Sequence, residues 1–166
     1  MKNQGNIGLY PEAKYLDADG NLCNGPDGWA RKVNEYYNQY QILSTTYYKA
    51  DGSLFFNENV GYARMVNTYR ESYLTGTDYY DENGEHICIS AGYASIRYTY
   101  KNKTKYGEFY YDENGNPAAL AKGCPGYAVV ASNFLKTETW MDENGKPMMN
   151  DDGYAVKQTK INSKRV

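Results

Sequence analysis

Apolar and polar side chains alternate with a period of two along several stretches of this chain, each opening on a Gly-Tyr-Ala step. One face of these stretches carries Ala63, Met65 and Tyr69, then Ala94, Ile96, Tyr98 and Tyr100, then Ala128, Val130 and Phe134. The other carries Tyr62, Arg64 and Thr68, then Tyr93, Ser95, Arg97 and Thr99. Period-two alternation predicts strands, with the first face turned to a core and the second to solvent. Aromatic and β-branched runs, "TTYY", "TDYY" and "TETW", predict a second set of strands. The polar "KNKTK" (Lys101 to Lys105) turns the chain between the two sets, which suggests two hairpins per unit. Near the N-terminus Trp29, Val33, Tyr36, Tyr40 and Leu43 also fit helical spacing, but analogy with the later stretches makes this segment a strand.

Each "TTYY"-like run ends in a turn whose glycine recurs at Gly20, Gly52, Gly84, Gly115 and Gly145, at steps of 32, 32, 31 and 30 residues. A second glycine follows at Gly28, Gly61, Gly92, Gly126 and Gly153, spaced less evenly. Four turns start with an aspartate, Asp17, Asp81, Asp112 or Asp142, and the exception is Lys49. Asp at the first position and Gly at the fourth suit a type I turn closed by a left-handed glycine; a two-residue Asn-Gly turn would leave the repeated Asp without a role. Because a lone hairpin is marginal in water, the units must cover one another. The reading is all-β: an elongated, solenoid-like β-hairpin repeat array of about five units. They span 15–46, 47–78, 79–109, 110–139 and 140–155, between a lead-in at 1–14 and a polar tail at 156–166.

Composition narrows the function. The 166 residues carry 18 basic and 20 acidic side chains, a net charge of −2, so no excess of positive charge exists to follow a phosphate backbone. Nucleic acid is therefore not an expected partner, and no apolar run approaches the roughly 20 residues of a membrane span. The opening "MKNQGNIGLYPEA" has no apolar signal-peptide core. Cys23, Cys88 and Cys124 lack metal-ligand spacing and read as small buried hydrophobes. "LDADGNL" suggests calcium, but the EF-hand loop needs Gly at its sixth position and Glu at its twelfth; counting from Asp17, Gly20 comes fourth and Gly28 twelfth. The turn carboxylates instead suit bonds to their own backbone amides. His86, the sole histidine, has no nucleophile or orienting partner recognisable in the sequence, and no phosphate-binding or dinucleotide-binding glycine motif is present. No catalytic residue, metal site or cofactor is expected, and the chain reads as a non-enzyme.

Tyrosine is the outlying residue, with 20 copies against 4 Phe and 2 Trp. Trp29, Tyr62, Tyr93, Tyr127 and Tyr154 share one place in each unit, and a second register runs through Tyr47/Tyr48, Tyr79/Tyr80, Tyr110/Tyr111 and Trp140. Strict alternation would turn the first set away from the aliphatic face. Two uses remain open for such rings: stacking between units, or capture of sugar C–H faces and quaternary ammonium groups.

An aromatic pair, an Asp-x-Asn/Asp-Gly turn and a Gly-aromatic step, here "YYKADGSLFF…GYA", "YYDENGE…GYA" and "YYDENGNP…GYA", resemble the cell-wall-binding repeats of Gram-positive surface proteins, the choline-binding and glucan-binding modules. The resemblance covers Tyr15 to about Ala155, although the period here is longer than the family's and tyrosine largely replaces tryptophan. It implies hairpin repeats whose aromatics bind ligand between units. Carried over, Trp29, Tyr62, Tyr93, Tyr127 and Tyr154 match the Gly-aromatic ring, and Tyr48, Tyr80 and Tyr111 match the aromatic pair. The expected function is a non-catalytic module that binds glycan or cell-wall polymer, on the cell surface or secreted. The alternative is a protein–protein interaction or spacer array, possibly like the repeat tails of cell-envelope polymer transferases.

Overall fold

The computed structural model describes residues 10–161, and the outer parts of the lead-in and tail, 1–9 and 162–166, lie outside them. Ten strands follow one another in a single antiparallel sheet whose spatial order is the chain order. They are β1 (Glu12–Lys14), β2 (Arg31–Asn38), β3 (Gln41–Tyr48), β4 (Arg64–Arg70), β5 (Tyr73–Tyr80), β6 (Ser95–Lys101), β7 (Thr104–Tyr111), β8 (Gly126–Ala131), β9 (Leu135–Met141) and β10 (Val156–Lys160). The sheet does not close into a barrel, and no helix occurs among the described residues, so the molecule is an elongated all-β hairpin array. The ambiguous segment after Trp29 is strand β2. At the two ends, β1 falls within the lead-in and β10 within the polar tail, which extends the sheet beyond 15–155.

The Asp-Gly turns have the three-residue, bulged geometry that their sequence suits. In each, the glycine amide donates to the carbonyl three residues back at 3.0–3.3 Å, and the first residue's amide donates to the carbonyl four residues on at 2.8–2.9 Å. The turn glycines have φ between +77° and +87°, where a Cβ is disfavoured. Asp81 Oδ1 accepts the amides of Asn83 and Glu85, and Asp17, Asp112 and Asp142 repeat the arrangement. In the Lys49 turn Asp51 substitutes, accepting from the amide and hydroxyl of Ser53.

These turns do not join two long strands. Beyond each glycine the return is a single bridge, such as Tyr80 to His86 or Tyr111 to Pro117. The long hairpins are β2–β3, β4–β5, β6–β7 and β8–β9, closed at the opposite end of the strands. Between hairpins the strand ladder is only three residue pairs long, for example Ser44–Thr46 on Arg64–Val66, and the Gly-Tyr-Ala backbone continues it through Tyr47 N–H to the Ala63 carbonyl. A second glycine turn then leads into the next hairpin. Gly28, Gly92 and Gly153 close it in the same bulged form, and Gly61 does so with one extra residue.

The fourth unit departs from the pattern, and in doing so corrects the sequence reading. Its turn runs from Ala121 to Cys124 with Lys122 and Gly123 both at positive φ, so the turn glycine is Gly123 and not Gly126. The irregular step from Gly115 to Gly126 thus becomes a regular one from Gly115 to Gly123. The ladder agrees: Tyr110 N–H donates to the Pro125 carbonyl, where Tyr79 N–H uses Ala94 and Tyr47 N–H uses Ala63. Cys124 therefore stands in the Gly-Tyr place and Pro125 in the Ala place, three residues ahead of the apparent match. Three is odd, so the two faces of β8 exchange. Tyr127 and Val129 join the side of Ile96, while Val130 and Phe134, expected in the core, are 49% and 70% exposed.

Elsewhere the expected core face holds in part. Ala63 and Ala94 are 0% exposed and Ile96 is buried, while Arg64, Thr68 and Arg97 face solvent. Ser95, expected on the solvent side, is also buried, and its hydroxyl donates to Asp78 Oδ1 at 2.7 Å. Thr45 donates to Asn34 Oδ1 and Thr77 to Asn67 Oδ1, both at 2.8 Å, whereas the Thr99 hydroxyl is buried without a partner.

Candidate functional site

Every hairpin contributes one ring from the end of its second strand, Tyr47, Tyr79, Tyr110 or Trp140. The Gly-aromatic step supplies rings that alternate with these. The result is a ladder along one face: Tyr15, Trp29, Tyr47, Tyr62, Tyr79, Tyr93 and Tyr110 follow one another at centroid separations of 4.7–6.1 Å. Separations and tilts in this range are those that aromatic quadrupoles favour. Burial pushes the Tyr62 hydroxyl up to about 12, and Tyr79 rises for the same reason, reinforced by its neighbouring tyrosines. Tyr47 is buried and the other rings of the series are half-buried, each beside the next.

The ladder breaks once. After Tyr110 the next place belongs to Cys124, which supplies no ring and whose fully buried thiol faces the Met148 and Met149 carbonyls. The series resumes with Tyr127, Trp140 and Tyr154, both steps 5.3 Å. At the break lies an open cleft of 410 Å³ walled by Tyr110, Tyr127, Trp140 and Tyr154. Two carboxylates enter it at a position where the earlier hairpins carry Thr45 and Thr77. Glu108 accepts from the Tyr110 hydroxyl at 2.5 Å and from Lys105 at 2.8 Å; Glu138 accepts from the Tyr127 hydroxyl at 2.6 Å and from Lys136 at 3.0 Å. For Glu108, desolvation raises the carboxyl's pKa but is outweighed by Lys105 and Tyr110; for Glu138 the Tyr127 hydroxyl, then Lys136, holds it below the usual range. Both are ionised at neutral pH. Burial, then the bond to a carboxylate, raises Tyr110 and Tyr127, which stay protonated as donors. Lys122 and Lys157 also line the cleft, with Lys122 Nζ 5.8 Å from the Trp140 ring centre.

The eight residues singled out from the sequence do not form one site. Trp29, Tyr62, Tyr93 and Tyr154 lie on the ladder, on the same side as Tyr47, Tyr79, Tyr110 and Trp140 and not opposite the aliphatic residues, because the left-handed glycine before each resets the alternation. Tyr127 is on the ladder face at the β8 register of Ile96. Tyr48, Tyr80 and Tyr111 occupy the other face, where Tyr48 packs under Arg31 and Tyr80 stacks on His86 at 4.7 Å. The ladder takes the other member of each aromatic pair, Tyr47, Tyr79 or Tyr110, and Glu108 and Glu138 are not among the residues named from the sequence. Strand parity counted from the pairs, together with the Thr-to-Glu change at matched positions, carried that signal.

On the opposite face His86 does have a carboxylate neighbour. Its Nε2 lies 3.8 Å from Asp78 Oδ1, which also accepts from Ser95 Oγ at 2.7 Å and from Arg97 at 2.6 Å. The Ser95 hydroxyl is thus spent on Asp78. Of the three cysteines, Cys124 is buried while Cys23 and Cys88 are half-buried, and the Cys88 thiol, pushed up to about 11 by burial and by Glu113, donates to that carboxylate. Among the described residues no group of three His, Cys, Asp or Glu is placed to hold a metal ion, and no helix is long and apolar enough to cross a membrane. Comparison with protein-family models and with curated proteins finds no match.

Proposed function

We propose that this chain is a non-catalytic binding module for a glycan or cell-wall polymer, and that it takes an uncharged run of sugar in the cleft between Tyr110 and Trp140. The observation that carries this reading is the single interruption of the ladder, which leaves four aromatic walls with two ionised carboxylates between them. Ring faces suit the C–H surfaces of pyranoses, carboxylates accept sugar hydroxyls, and Lys122 and Lys157 can donate. A cationic ligand such as a quaternary ammonium group is less suited. Glu108, Glu138 and Asp152 are already paired with Lys105, Lys136 and Lys122, and Lys157 also lines the cleft, so it carries no surplus negative charge.

Calorimetric titration against soluble cell-wall polysaccharides tests the reading. Glu138→Gln removes a charged acceptor and is expected to weaken binding by about tenfold, since a hydrogen bond to a charged group contributes roughly 1.5–3 kcal/mol. Tyr111→Ala, on the opposite face, is expected to leave binding unchanged. Binding that responds to Tyr111 and ignores Glu138 would sink the site. A protein-interaction reading has one observation in its favour, the exposed Tyr40 and Phe134 at two hairpin tips.

A further inference from the structure

The long hairpins meet at three junctions, β3 with β4, β5 with β6, and β7 with β8, and beyond the three paired residues they splay apart. At the first two junctions a tyrosine closes the gap. Tyr69 Oη donates to the Ile42 carbonyl at 2.9 Å, and Tyr100 Oη donates to the Leu74 carbonyl at 2.8 Å. A second ring covers each clamp, Tyr37 on Tyr69 at 4.8 Å and Tyr73 on Tyr100 at 5.1 Å. Tyr69 stands four residues beyond Met65 and Tyr100 four beyond Ile96. At the third junction Tyr127 occupies that reference position, through the slip at Cys124, and four residues beyond it is Ala131.

The third junction therefore keeps the frame of the clamp without its ring. The matching carbonyl belongs to Lys105, two residues before Gly107 as Ile42 precedes Ser44 and Leu74 precedes Gly76. Among the described residues, no side chain donates to it. Lys101 and Thr104 stand where Tyr37 and Tyr73 cover the other clamps. A cleft of 270 Å³ opens there, walled by Tyr106, Val129, Val130 and Ala131. For scale, an apolar cavity of about 150 Å³ already holds a benzene ring.

We propose that this cleft binds a phenolic ring in the pose that Tyr69 and Tyr100 take at the sister junctions, its hydroxyl donating to the Lys105 carbonyl. The repeats themselves specify the ligand: a planar six-membered ring with a hydroxyl at its far end, inserted between two splayed hairpins. The hydroxyl matters because the Lys105 carbonyl, which accepts from no side chain among the described residues, can take a donor, and an apolar ring supplies none. The Lys105 ammonium is engaged by Glu108 and the Tyr98 ring. The Lys101 side chain is free to lie over an incoming ring.

Titration of the full chain with p-cresol, followed by backbone amide shifts, tests the proposal. Saturable shifts at Lys105 and Ala131 are expected, with toluene binding about fivefold more weakly for want of the hydroxyl. Ala131→Tyr is expected to supply the missing ring, raise Tm and abolish the p-cresol shifts; Ala131→Leu blocks the cleft should that variant fold poorly. Tyr100→Ala is expected to create a second p-cresol site, seen at Leu74. N-acetyltyrosinamide separates the sources: binding at least as tight as p-cresol identifies a polypeptide tyrosine, and binding of p-cresol alone identifies a small phenol. No saturable shift with either compound, or shifts that persist in folded Ala131→Tyr, would overturn the proposal.

Discussion

Gly115 and Gly126 show that one residue type is required for two different reasons. At Gly115, φ is +80° and nothing lies within 4 Å of the place a Cβ would take, so the requirement is a backbone one. Gly126 has an ordinary φ, but a Cβ there would sit 2.4 Å from the Phe109 ring, so the requirement is space. Gly115→Ala is expected to cost about 1 kcal/mol whatever its neighbours. Gly126→Ala is expected to cost about 1–3 kcal/mol, and a double-mutant cycle with Phe109→Ala should show strong coupling. Urea denaturation measures both. The sequence made the first glycine readable, because an Asp three residues earlier announces the turn. It misassigned the second, because a Gly-Tyr-Ala string looks the same whether the glycine turns the chain or makes room for a ring.

At the scale of the element, the Asp turn is a small electrostatic device. In Asp17 the bond from the Asn21 amide lowers the carboxyl pKa; in Asp81 and Asp112 desolvation opposes the shift and is outweighed by amide and asparagine donors. A lowered folded-state pKa means that the folded chain binds fewer protons than the unfolded one. The stabilisation is then complete above the unfolded value, about 3.9, and is lost as pH falls through the folded values. The Tm of the native chain should therefore drop more steeply below about pH 4 than that of Asp17→Asn/Asp81→Asn/Asp112→Asn, which keeps an oxygen acceptor but no titrating charge. Parallel slopes would remove the turn aspartates from the acid response. The turns were legible because their bonds are local. The β8 strand was not, since its face depends on whether Gly123 or Gly126 ends the turn, and only pairing with β7 and β9 decides that.

Over the whole molecule, an open sheet of hairpins gives each unit contacts with its neighbours alone, so stability is expected to vary along the array. Hairpins β4–β5 and β6–β7 are covered on both sides, while every residue of β10 is exposed. Native-state hydrogen exchange should be slowest in β4–β7 and faster by orders of magnitude in β1 and β10. Uniform protection would mean that the sheet opens only as one unit. The sequence by itself determined the all-β class, the repeat and the turn geometry, because period-two alternation and Asp-to-Gly spacing act through residues close in the chain. Tertiary structure alone decided which ring of each pair joins the ladder, where the ladder breaks, and that Glu108 and Glu138 face the gap. Those facts depend on register between strands, and a slip of three residues, invisible to local preference, exchanges one face of the sheet for the other.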